Sequence, residues 1–126
     1  MKLKTEQFGE IEYAKENIIQ MEKGLFGFEH LEDFLLIQTD NTLFYWLNAI
    51  DEPTVAFPLV GINVLDDTYP QVEGSEPFGV VTLDKDPLLI TVNMKAPLYI
   101  NQDKKRGKQK ILDREKYSVN YKLFVE

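Results

Sequence analysis

"FGVVTLDKDPLLITVNMKAPLYINQDKKRGKQKIL", residues 78–112, decides the fold. Four short runs, "FGVVTL", "LLITVN", "PLYIN" and "KQKIL", are separated by turn signals at 84–87, 95–97 and 103–107. Short strands at this spacing predict an antiparallel sandwich or barrel. The stretch also carries Lys104, Lys105, Arg106, Lys108 and Lys110, 5 of the chain's 14 cations within seven residues. Two readings of that charge are open: a phosphate-binding turn, or the solvated end of a hairpin.

The strand pattern continues upstream. "LFYWLNAI", residues 43–50, is apolar on both alternating faces, with Leu43, Tyr45, Leu47 and Ala49 on one and Phe44, Trp46 and Ile50 on the other, as in a strand buried on both sides. "VAFPLVGINVL" follows the "DEPT" turn as the next strand, with Pro58 expected to mark an edge or a bulge because it cannot donate to the ladder. Residues 2–13 alternate around Gly9 and predict a hairpin or bent strand. A short strand at 17–21 is closed by "EKGLFGFEH", where Gly24 and Gly27 can take positive φ. One helical turn is expected over 29–34, since Glu29, Glu32 and Asp33 suit a helix start, before "FLLIQ" resumes as strand. Residues 66–77 read as the longest loop, and the tail either adds a last strand at Tyr121 to Val125 or is loosely attached.

A chain of 126 residues, 44% hydrophobic and 12% aromatic, has the size and composition of one folded domain spanning 1–126. The apolar runs fall far short of the roughly 20 residues that cross a bilayer, and "MKLKTEQFGEIEY" has no apolar leader core. No membrane association and a cytoplasmic location are therefore expected. There is no cysteine, hence no disulfide framework and no thiolate metal site. The net charge of −7 is unevenly spread: residues 1–84 carry −12 and residues 85–126 carry +5. An acidic body is repelled by nucleic acid at long range and is a better match for a basic protein.

Catalysis is poorly supplied. His30 is the single histidine and reads as a surface residue, Ser75 and Ser118 lie in loop-like contexts, and the paired aspartates at 66–67 and 84–86 sit in turns where aspartate serves its own backbone. "DKDP" lacks the other positions of a calcium loop, and no glycine-rich phosphate cradle is present. The chain is expected not to be an enzyme and to hold no metal or cofactor. Two binding candidates remain: the basic turn, whose nearby aromatics are Tyr99 and Tyr117, and the aromatic group Phe44, Tyr45, Trp46 and Phe57, which is core with a face free to anchor an apolar partner.

In order, "FGEIEY", "IIQMEKGLFGFE", "FLLIQ", "FYWLNAIDEPTVAFPLV", "NMKAPLYIN" and "RGKQKIL" resemble the FliW family of flagellar assembly factors over nearly the whole chain. The resemblance implies a small antiparallel, meander-like all-β barrel with at most short helical turns. It implies a binding module whose partners are flagellin and the RNA-binding translational repressor CsrA. Free protein would capture the repressor and lift its block on flagellin translation, and new flagellin would occupy the protein and restore repression. Carried over by motif, the partner-binding residues are Trp46, Asn48, Asp51 and Pro53 at one strand end, and Asn93, Lys95, Pro97, Asn101, Arg106 and Lys108 in a second cluster. Asparagine at such places also serves turns and strand ends. The acidic residues Glu10, Glu12, Asp51, Glu52, Asp66 and Asp67 are expected to supply a field that weakens the repressor's phosphate contacts. The cations of 104–110 are expected to meet acidic groups, on this chain or a partner.

This sequence departs from the family pattern at Phe26, where proline is usual, and after Tyr69, where a shorter segment leaves no room for a helix. A monomer is expected, without direct nucleic-acid binding. The rival readings are an RNA-binding barrel using the 104–110 hairpin and an aromatic barrel holding a flavin-like cofactor.

Overall fold

The alternation of apolar residues on both strand faces is met by two cores, one inside a closed barrel and one outside it. A computed structural model describes residues 1–38, 40 and 43–125. The strands are β1 (Lys2–Thr5), β2 (Gly9–Glu12), β3 (Ile19–Glu22), β4 (Asp33–Gln38), β5 (Phe44–Ala49), β6 (Ala56–Gly61), β7 (Glu76–Thr82), β8 (Thr91–Val92), β9 (Leu98–Asn101), β10 (Arg106–Gln109) and β11 (Tyr121–Lys122). Consecutive strands β3 to β7 form an antiparallel meander, β9 returns to pair with β7, and β10 pairs with β9. The seven-stranded ring closes where β10 runs parallel to β3, with Arg106 opposite Gln20 and Gly107 opposite Met21. A Cβ at Gly107 would collide with the Met21 sulfur, so a larger residue at this closing contact would require the buried Met21 side chain to shift. β8 and β11 extend β7 outside the ring, and β1 and β2 form the separate hairpin expected around Gly9.

Neighbouring residues divide between the two cores. Leu59, Phe78, Leu98 and Ile100 join Met21, Phe34 and Leu47 inside the barrel, whereas Val60, Val81 and Tyr99 point outward into a second cluster with Ile62, Tyr69, Val92, Met94 and Tyr117. Tyr45 and Phe57 pack on the inner core, and Leu43 and Phe44 on the outer one. The aromatic group is thus largely core. Truncating a fully buried ring such as Phe34 would cost about 3–5 kcal/mol.

Several expected elements differ. No helix forms over 29–34: Gly24 and Gly27 are both left-handed, Leu25 and Phe28 make a bridge, and β4 starts at Asp33. The acidic residue meant for a helix start is used otherwise, since the Gly27 N–H donates to Glu29 Oε2 at 3.0 Å. "LLITVN" is strand only at Thr91–Val92, because Pro87 opens a 3-10 turn, Pro87–Leu89, whose Leu88 N–H donates to Asp86 Oδ1 at 3.0 Å. Pro58 occupies no bulge: it pairs in register with Trp46 on β5 and, as at an edge, has no β7 partner on its other side. The ladder from β6 to β7 stops beside it at Leu59–Val80, where proline has no N–H to offer. The strand expected through residue 65 ends at Gly61 and gives way to a 3-10 turn, Ile62–Val64. The strand read as "KQKIL" is displaced to Arg106–Gln109.

Strand directions define the two ends. At one, which we call the Arg106 end, β6 and β9 finish at Gly61 and Asn101, and β5, β7 and β10 begin at Phe44, Glu76 and Arg106. The opposite, Pro97 end carries the 23–32 loop, the 50–55 turn and the 95–97 turn.

Candidate partner-binding surface

Of the residues singled out on β5, Trp46 is half-buried on the outer barrel face, opposite Ile37 and Pro58 in register. Asn48 is fully buried; its Nδ2 donates to the carbonyls of Ala49 (3.0 Å) and Pro53 (3.1 Å), which shapes the turn at the Pro97 end. Asp51 is exposed in that turn and Pro53 half-buried. His30 is exposed, as expected, and its Nε2 lies 3.1 Å from Glu52 Oε1.

The second expected cluster is split. Asn93, Lys95 and Pro97 belong to the Pro97 end, where Asn93 Oδ1 accepts from the N–H groups of Lys95 and Ala96, both at 3.0 Å, and Pro97 is buried. Asn101 and Arg106 face each other across β9 and β10 at the other end, with Lys108 next along the same face. Asn101 Oδ1 accepts from Lys104 N–H at 3.0 Å and so sets the hairpin turn. Both asparagines serve the backbone.

Two positions outside the expected partner-binding set stand out in the structure. Gln109 ties two loops together: its Oε1 accepts from Phe26 N–H at 2.8 Å and its Nε2 donates to the Ala96 carbonyl at 3.0 Å. Glu76 is a half-buried carboxylate, and nothing in "EGSEP" distinguishes it from its neighbour Glu73.

The basic turn opens onto the Arg106 end. Lys104, Arg106, Lys108 and Lys110 surround a groove of about 240 Å³ whose other walls include Glu22, Val72, Ser75 and Tyr99. Among the described residues the ion pairs are Lys2 with Glu10 (3.6 Å) and His30 with Glu52 (3.1 Å); none of the turn's cations forms one, although Glu22 lines the same groove and stands opposite Lys108 in register. The aromatics beside them are spent internally: Tyr99 and Tyr117 are buried, Tyr99 donates its hydroxyl to the Pro70 carbonyl at 2.8 Å, and Lys110 Nζ lies 5.6 Å from the Tyr99 ring centre.

The acidic residues are not equivalent. Glu10, Glu12, Asp51, Glu52 and Asp67 are all exposed, Glu10 beside Lys2 and Glu52 beside His30. Asp66 accepts from the Thr68 hydroxyl (2.6 Å) and amide (2.9 Å), which hold its carboxyl below the ordinary value. Among the described residues no group of three or more potential ligands gathers to hold a metal ion, and no helix is long and apolar enough to cross a membrane.

Comparison with known proteins agrees with this architecture. The family model described as "FliW protein" matches residues 2–123. Proteins called flagellar assembly factor FliW from Caldicellulosiruptor saccharolyticus and Thermosipho africanus are similar over nearly their whole length. The first is 33% identical, covering 97% of this chain and 90% of the relative; the second is 36% identical, covering 98% and 95%. The alignment with the first runs over 138 positions against a chain of 126, so that relative carries extra residues within the matched region. The crystal structure of a flagellar assembly factor FliW superposes with a TM-score of 0.86 at 28% identity, covering 99% of this chain and 98% of that one. The seven-stranded barrel, the ordered motifs and these matches agree, and the chain belongs to the FliW family of flagellar assembly factors.

Proposed function

We propose that this chain, as one cytoplasmic domain over residues 1–126, binds flagellin and, when free of it, binds and antagonises the repressor CsrA, coupling flagellin synthesis to flagellin level. The partner surface would draw on Trp46, Asp51, Pro53, Lys95, Arg106 and Lys108, with Asn48, Asn93, Pro97 and Asn101 shaping the turns that carry them. The observation that carries this reading is charge segregation: residues 1–84 are strongly acidic, while the cations of the 104–110 turn stand unpaired among the described residues. Surfaces of opposite sign steer association with protein partners of opposite charge. The burial of Tyr99 and Tyr117 leaves the basic turn without the stacking platform on which single-stranded RNA binders rely, which favours a protein partner over RNA.

The mechanism follows from charge. A repressor bound beside an acidic body would lose affinity for RNA phosphates without its RNA site being covered, and added salt would weaken the effect. Neutralising Glu12, Asp51, Glu52 and Asp67 should therefore relieve RNA antagonism without loss of fold.

The test is calorimetric titration with the C-terminal segment of flagellin and with the repressor dimer, both from the same organism, followed by displacement of one by the other. Binding to both with mutual displacement supports the switch. Binding to flagellin alone leaves a chaperone, and an RNA gel shift by the isolated protein, with neither partner bound, would replace the reading by direct RNA recognition.

A further inference from the structure

A second feature of the Arg106 end has the opposite sign from the basic groove. Three adjacent strands contribute to it: Tyr45 near the start of β5, Gly61 at the end of β6 and Glu76 at the start of β7. Leu43 and Val64 complete a cleft of about 190 Å³, with Val64 74% exposed at its lip. Glu76 reaches over Gly61 so closely that a Cβ there would lie 2.9 Å from Glu76 Oε2. Glycine at 61 is what leaves space for the carboxylate.

The Glu76 carboxylate takes no hydrogen bond and no ion pair from the described residues, although Lys104, Arg106 and Lys108 belong to the same end of the barrel. Burial alone raises its pKa above the ordinary carboxylate value, as expected of an acid shielded from water with nothing in exchange. Such a group favours a cation that can enter the cleft and restore the lost solvation. The walls restrict which cation that is. Leu43, Val64 and the Tyr45 ring are apolar, and a single carboxylate is too few ligands for a metal ion. The volume is below the roughly 300 Å³ at which small-molecule pockets begin. An aliphatic stem ending in one positive charge fits all three conditions.

We propose that this cleft receives one lysine or arginine side chain of a protein partner, its stem along Leu43, Tyr45 and Val64 and its charge on Glu76. The inference rests on the reading of the chain as a partner-binding module, but not on which partner it takes. It gives the Arg106 end two recognition elements of opposite sign, separated along the chain by little more than Ser75, so that a partner would need both an acidic and a basic group to fill them.

The test is nitrogen-15 NMR of the full chain titrated with n-butylguanidinium, an arginine side-chain mimic, and with n-butanol as the uncharged control. Saturable shifts of the Tyr45, Gly61, Val64 and Glu76 amides with butylguanidinium but not butanol are expected, weakened about tenfold or more in Glu76→Gln, and in Gly61→Ala, whose methyl group displaces the carboxylate. Retained amide dispersion shows that the variants are folded. Equal responses to the two probes, shifts mapping elsewhere, or an unchanged response in Glu76→Gln overturn the cleft. If it stands, Glu76→Gln should weaken whichever of flagellin and repressor binds the wild type by about tenfold, and unchanged affinity for both would overturn its use by a partner. Failure of the wild type to bind either protein would sink the proposed function, while the probe result would still decide the cleft.

Discussion

The two ends of the barrel treat their polar side chains differently. At the Pro97 end Asn48, Asn93 and Gln109 are consumed by backbone groups, and the 23–32 loop, the 50–55 turn and the 95–97 turn are fixed by those bonds. At the Arg106 end Asn101, Asp66 and Gln71 also bond to backbone groups, but the side-chain charges of Lys104, Arg106, Lys108 and Glu76 face solvent or clefts without an ion-pair partner among the described residues. The side-chain bonds to the backbone hold the turns of the Pro97 end in shape, although the buried Asn48 Oδ1 itself has no hydrogen-bond partner among the described residues. The unmatched charges of the Arg106 end leave that rim available to a charged partner.

The comparison sharpens most at Gly24. It sits at φ +65° at the Pro97 end, and a Cβ would stand 2.7 Å from the carbonyl oxygens of Leu31 and Phe28, which are backbone and cannot turn aside. Gly24→Ala should destabilise by about 3 kcal/mol, from the clash and the left-handed backbone together, and lower Tm by about 10 °C. Gly27, also left-handed but with open space around its Cβ position, should cost only about 1 kcal/mol on the same change. Equal losses at the two sites would remove the packing part of the argument.

Next in size is Gln109→Ala. It removes an acceptor from Phe26 N–H and a donor from the Ala96 carbonyl at once, and should cost about 1–2 kcal/mol in urea unfolding with an unchanged m-value. Hydrogen exchange should quicken at Phe26, whose amide is then open to water. By contrast Arg106→Gln with Lys108→Gln should change stability by less than about 0.5 kcal/mol while weakening partner binding about tenfold. A stability loss as large as that of Gln109→Ala would mean that the Arg106 end is structural after all.

How much of this was legible in the sequence depends on the range of the interaction. The meander from β3 to β7 could be read, because Leu59 beside Val60 and Phe78 through Val81 announce strands buried on both faces, and neighbouring strands pair. The parallel contact that closes the ring could not, since Arg106 meets Gln20 across most of the chain and no local pattern encodes a partner that distant. The expected cluster of Asn93, Lys95, Pro97, Asn101, Arg106 and Lys108 divides because β9 spans the barrel between Pro97 and Asn101. The turn at 29–34 failed for a local reason. Glu29 looks like a helix-start carboxylate, but its oxygen is taken by the Gly27 amide once Gly24 and Gly27 go left-handed. Motif resemblance alone puts Asn48 at the partner surface, whereas its bonds to the Ala49 and Pro53 carbonyls, which hold the turn, depend on the fold and could not be read from sequence. Glu76 gave no signal at all, since its meaning comes from Gly61 on the neighbouring strand.

The smallest effect tests the unmatched carboxylate itself, and its sign is fixed by linkage. Glu76 has its pKa raised in the folded protein by burial, so the folded state favours the protonated form. The stability associated with that preference is complete below the unfolded carboxylate value and is lost as pH climbs through the raised folded value. Glu76→Gln keeps the shape and removes the titration. The variant and the wild type should therefore unfold at the same urea concentration near pH 3, and the variant should be the more stable at pH 7, by a few tenths of a kcal/mol because the group is only half-buried. If the wild type were the more stable at pH 7, the carboxylate would have a stabilising partner within the chain. The Arg106 end would then resemble the Pro97 end, and the distinction between them would lose its clearest member.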